Sequence, residues 1–188
     1  MTAALEDPAI RARVHAISVA EYHGMIAAGL LPENVELIRG ALVEKMSQSP
    51  LHGSIVELLR EWVAAAVPGD HIVRQEKPLT LDDSEPEPDV AVVRGTRGDF
   101  LTVHPHAAEL IIEVVVSSET VDRMKLHLYA EAGVRECWLV LAEERVIERH
   151  TEPHGIAYLR VERATYPAAI ESTIFPGLTL LPAGIFPT

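Results

Sequence analysis

The chain carries a single cysteine, Cys137, in 188 residues, which excludes an internal disulfide and any zinc site built from cysteines. A lone thiol in an apolar stretch is expected to be buried and inert. Lysine is nearly as scarce, with three against thirteen arginines, so the position of each lysine is informative. No run approaches the ~20 apolar residues of a membrane-spanning helix. The opening MTAALEDPAIRARVHAI lacks the basic start and continuous apolar stretch of a signal peptide. A cytoplasmic protein with no membrane contact is therefore the expectation. Positive charge is also short: a net charge of −12 argues against a protein that coats nucleic acid through a broad basic surface. It leaves room for a carboxylate site, because a bound cation inverts the local charge and can meet a phosphate directly.

What is present is ordinary globular composition, 48% hydrophobic and 23% charged, which excludes a disordered or low-complexity chain. The length falls within the roughly 100–200 residues usual for one domain, so a single domain over residues 1–188, with its core from about residue 18, is expected. Ser18 opens a Ser-x-x-Glu capping box with Glu21, predicting a helix over 19–28. Residues 35–43 read as a hairpin turning at Arg39-Gly40. Ser49-Pro50 reads as an N-cap and first-turn proline, followed by a helical stripe of Ile55, Leu58, Leu59, Trp62 and Ala66.

From His71 to Leu81 the pattern is strand-like, and the turn-rich DDSEPEP leads into a second strand over Asp89 to Val93. Leu110 to Val116 is almost wholly apolar, as in a strand buried on both faces. Residues 120–132 return to helical spacing, with Val121, Met124, Leu128 and Ala132 inward and Gly133 as the stop. Further strands follow at 137–141, 145–149 and 156–161. This order predicts an α/β (α+β) fold with a mixed β-sheet flanked by helices rather than a doubly wound parallel sheet.

The anomaly is Glu113, inside Leu-Ile-Ile-Glu-Val-Val-Val. An unpaired carboxylate in a buried strand costs several kcal/mol or more of desolvation, so something must compensate it. Strand alternation sets Ile111, Glu113 and Val115 on one face. Asp89 is the second unusual acid. Pro86 and Pro88 fix an extended approach to it, and it opens the apolar Val90-Ala-Val-Val93. If the two strands are neighbours, both carboxylates can point at one hard cation such as Mg²⁺ or Mn²⁺. Lys125, on the helix after the Glu113 strand, can fold back over the sheet to position water and offset charge.

Taken together, EPEPDVAVVRG, LIIEVVVSSETVDRMKLHLYAEAGVRECWLV and FPGLTLLPAGIF resemble the Uma-two family of restriction endonucleases. VELIRGALVEKMSQSPLHGSIV and VRQEKPLTL extend the resemblance over roughly Ser18 to the C-terminus. It implies a restriction-endonuclease-like fold of the PD-(D/E)XK superfamily and a metal-dependent endonuclease acting on DNA. Asp89 and Glu113 would be the metal ligands, and Lys125 the catalytic lysine moved from the strand position, here Val115, to the following helix. Gln75, Glu36 and His52 fall in similar segments and are secondary candidates for the cleft, a second metal or the water.

Each of these residues also has an ordinary reading. Glu113 can pair with a buried arginine, Asp89 can cap a turn, and Lys125 can pair with Asp122 along its helix. Gln75, Glu36 and His52 more commonly serve structure. His104-Pro-His106 lacks a third ligand, Gly95-Thr-Arg-Gly98 lacks the ending of a phosphate loop, and Gly53-Ser54 lacks a nucleophile elbow. A non-catalytic binding or assembly module on a nuclease fold is the alternative to an enzyme. Sheet edges and the apolar tail residues Phe175, Leu178 and Phe186 suggest a two-fold homodimer.

Overall fold

The computed structural model of the protein describes residues 8–45, 48–116 and 119–186; part of the opening segment read above for a leader lies outside them. Contacts gather these residues into two compact units. One comprises the chain through Lys45 with Asp82–Glu85, and the other the remainder.

The first unit holds α1 (Pro8–Arg11), α2 (Val19–Ala27), β1 (Val35–Ile38) and β2 (Ala41–Glu44). The capping box forms as the sequence predicts: the Glu21 N–H donates to Ser18 Oγ and the Ser18 N–H donates to Glu21. Between β1 and β2 the backbone turns at Arg39 and Gly40, both with positive φ, the geometry that matches strand twist in a two-residue hairpin. A side chain at residue 40 would meet the Ala16 Cβ at 2.7 Å, so glycine is required there. Asp82–Glu85 runs alongside, with the Glu85 N–H donating to the Leu37 carbonyl.

The second unit holds α3 (Pro50–Ala66), β3 (His71–Gln75), β4 (Val90–Arg94), β5 (Leu110–Val115), α4 (Glu119–Glu131), β6 (Glu136–Leu141), β7 (Val146–His154) and β8 (Ala157–Thr165). It ends with β9 (Ile170–Glu171), β10 (Thr179–Leu180) and α5 (Pro182–Ile185). Strands β3 to β8 form one six-stranded sheet in chain order. Every pair is antiparallel except β5 and β6, which α4 joins as the crossover a parallel pair requires. The expected mixed sheet flanked by helices is present. One face packs Val90, Val92, Leu110, Ile112 and Val114 under α3. The other packs Ala91, Val93, Ile111 and Val115 under α4. Cys137 is buried in that second layer, and burial pushes its thiol pKa up, as an inert thiol requires.

Several expectations need correction. The strand expected over 71–81 stops at Gln75, and Asp89 stands just before β4 rather than within it. On α3 the inward residues are Ile55, Val56, Leu59 and Val63, while Leu58 is 44% exposed and Trp62 lies at the surface. On α4 Val121 and Met124 face solvent, and Lys125, Leu126, Leu128, Tyr129 and Ala130 are buried. Phe175, Leu178 and Phe186 are buried within their own chain, so they are not the surface of a dimer. Among the described residues no helix is long and apolar enough to cross a membrane.

Candidate metal-dependent active site

The register of β3, β4 and β5 assembles the site. Gln75 stands opposite Val90 and Val90 opposite Ile112. One step further along each strand brings Glu76, Asp89 and Glu113 into a single row. The row is tied by hydrogen bonds: the Glu76 N–H donates to the Asp89 carbonyl at 3.1 Å, and the Asp89 N–H donates to Glu113 Oε2 at 3.1 Å. Asp89 Oδ2 in turn accepts the Val114 N–H at 2.7 Å. Three carboxylates thus gather across β3, β4 and β5, two of them, Asp89 and Glu113, paired in the sequence reading.

Strand parity sets Glu113 on the face covered by α4, and α4 supplies its partners. Tyr129 donates its hydroxyl to Glu113 Oε1 at 2.5 Å, and the Lys125 ammonium lies 4.0 Å from the same oxygen. From the other helix, His52 Nε2 lies 3.1 Å from Asp89 Oδ2. The backbone of His52 is fixed by Ser49, whose hydroxyl caps α3 by accepting the His52 N–H. One nitrogen of His52 and one oxygen each of Glu76 and Asp89 lie within 4.8 Å of one another, a spacing and donor chemistry that fit a divalent cation.

The electrostatics reflect this crowding. Burial pushes the Glu113 pKa up to about 8; Lys125 opposes the rise, while Asp89 and Asp122 add to it. Burial alone would lower the His52 pKa, but its hydrogen bond to Asp89 and the charges of Asp89, Glu76 and Asp122 raise it on balance. A bound cation would relieve the mutual repulsion of these carboxylates.

Asp89, Glu113, Lys125 and His52, all singled out from sequence, therefore meet in one place. Gln75 stands beside them through Glu76, its amide 3.5 Å from that carboxylate. Glu36 is buried on β1 of the first unit, whereas every residue of the constellation comes from the second. Two members escaped sequence reasoning. Tyr129 lies one turn after Lys125, a spacing that places both on one helix face. Glu76 becomes visible only once the register of β3 and β4 is known.

The mixed sheet flanked by helices is that of a nuclease-type fold. The crystal structure of "a putative nuclease belonging to DUF820" from Anabaena variabilis has the same fold, with a TM-score of 0.74 and 19% identity over 90% of this chain and 97% of that one. The chain belongs to the Uma2 family, described as "Putative restriction endonuclease", whose model matches residues 20–183. No curated protein matches it.

Proposed function

We propose that the protein is a metal-dependent endonuclease that hydrolyses phosphodiester bonds in DNA, in the cytoplasm and with Mg²⁺ or Mn²⁺. The observation that carries the reading is the meeting of Asp89 just before β4, Glu113 on β5 and Lys125 on α4, in a family of restriction-endonuclease type. Asp89 and Glu113 hold the cation in this reading. A bound divalent ion supplies Lewis-acid polarisation of the phosphate and a more acidic water. Asp89 is aimed by the Val114 N–H and His52. Glu113 is held by Tyr129 and by the Asp89 backbone. Lys125 orients the attacking water and offsets the charge that builds on the phosphate.

Duplex cutting by two sites is part of the proposal, with a homodimer formed through the outer edge of β8. That nine-residue strand ends the sheet, and among the described residues no strand pairs with its outer edge. It exposes Leu159 at 66% and Val161 at 51% between the charged Arg160, Glu162 and Arg163, an edge open to pairing with another chain. Antiparallel pairing about Val161 would set Arg160 opposite Glu162 of the partner subunit, twice over by symmetry.

The test of the activity is incubation of single-stranded, duplex and branched DNA, and RNA, with wild type and Asp89→Asn in Mg²⁺ or Mn²⁺. Wild type is expected to cut DNA, with chelator or Asp89→Asn abolishing it. Metal binding at Asp89 with no cleavage of any substrate would favour the non-catalytic module instead.

A further inference from the structure

We infer that the cation is held by a mixed nitrogen and oxygen set, His52, Glu76 and Asp89, so that the site selects a first-row transition ion over Mg²⁺. This rests on the metal-dependent reading above, keeps Asp89 as a ligand, puts His52 and Glu76 in the place given there to Glu113, and narrows the choice of ion. Their donor atoms already lie within 4.8 Å of one another without an ion. Each of the three is held in place by its own contacts. The Ser49 cap fixes the first turn of α3 and with it His52. Glu76 leaves β3 with φ at +48°, a conformation uncommon for a residue bearing a side chain and frequent at functional sites. The amides of Gln48 and Gln75 both donate to the Glu76 carboxylate. Asp89 is aimed by the Val114 N–H.

His52 decides the preference. An imidazole nitrogen suits zinc, cobalt, nickel and iron, whereas Mg²⁺ takes oxygen ligands and keeps much of its water. In the absence of an ion, Nε2 can donate its proton to Asp89 Oδ2. Among the described residues Nδ1 is buried with no hydrogen-bond partner, so nothing on that side of the ring fixes the tautomer. A cation at this site would take up the Nε2 lone pair beside Glu76 and Asp89, with the proton on Nδ1. Glu113 then stands behind the ligand set, holding the Asp89 backbone through its N–H.

The test is calorimetric titration of the intact protein with Co²⁺ and, separately, Mg²⁺, alongside the visible absorption of bound Co²⁺. Wild type is expected to bind Co²⁺ at least about tenfold more tightly than Mg²⁺. His52→Gln and Glu76→Gln should each weaken Co²⁺ binding by about tenfold or more, and His52→Gln should also shift the Co²⁺ spectrum and narrow the preference over Mg²⁺. Circular dichroism confirms that each variant is folded, and for any that is not, the Co²⁺ spectrum of wild type reports nitrogen ligation directly. Equal affinity for the two ions, or wild-type Co²⁺ binding in His52→Gln while Asp89→Asn has lost it, overturns this ligand set and leaves the nuclease reading standing. Failure of wild type to bind either ion overturns both.

Discussion

Glu113 is the residue on which the electrostatics turn. Its carboxyl is pushed up to about 8 by burial, against an ordinary value of 4.5, so between those values the folded protein keeps a proton that the unfolded chain has lost. Stability should fall as pH rises through that window, because the native state binds more protons there. Urea denaturation in chelator at pH 5 and pH 8 should show this fall in wild type and a smaller one in Glu113→Gln; identical slopes would place the burden elsewhere. Asp89 should govern the response to metal. A ligand at a hundred times its dissociation constant stabilises the native state by about 2.7 kcal/mol. Melting with Mn²⁺ should therefore shift wild type upward and leave Asp89→Asn unmoved, whereas equal shifts would remove Asp89 from the metal site.

The helices show how far the sequence could be read at the level of elements. Caps, turns and the apolar strand β5 were legible because their signals are local, as with Ser18 and Glu21 or Ser49 and Pro50. The inward faces of α3 and α4 were not. Both stripes include a residue that apolar periodicity turns outward: His52 begins the row that continues through Ile55, Val56, Leu59 and Val63, and Lys125 lies beside Leu126 and Tyr129. Treating such residues as solvent-facing rotates the stripe onto Leu58 and Trp62, or onto Val121 and Met124. Buried polar residues thus disguise the helix face that carries them. The contrast is measurable. Leu59→Ala should cost about 2–5 kcal/mol by urea denaturation, as expected for a fully buried leucine, and Leu58→Ala about 0.5 kcal/mol or less. The reverse order would restore the sequence-derived stripe.

At the scale of the whole molecule, Glu113 and Asp89 could be singled out from sequence because each is an acid set against an apolar strand, and Lys125 because the family resemblance points to it. Glu76 and the edge of β8 could not, since both depend on strand register and sheet order. Light scattering at micromolar concentration should find a dimer, and Val161→Lys, a change on the exposed edge, should yield a folded monomer. A wild-type monomer would contradict the β8 pairing. In the proposed mechanism Lys125 acts on the reaction rather than on the fold. This turns on the single-turnover rate of DNA cleavage by Lys125→Ala, with Mn²⁺ affinity measured on the same preparation. The rate should fall by roughly a hundredfold or more with affinity largely retained; cleavage at the wild-type rate would take Lys125 out of the reaction.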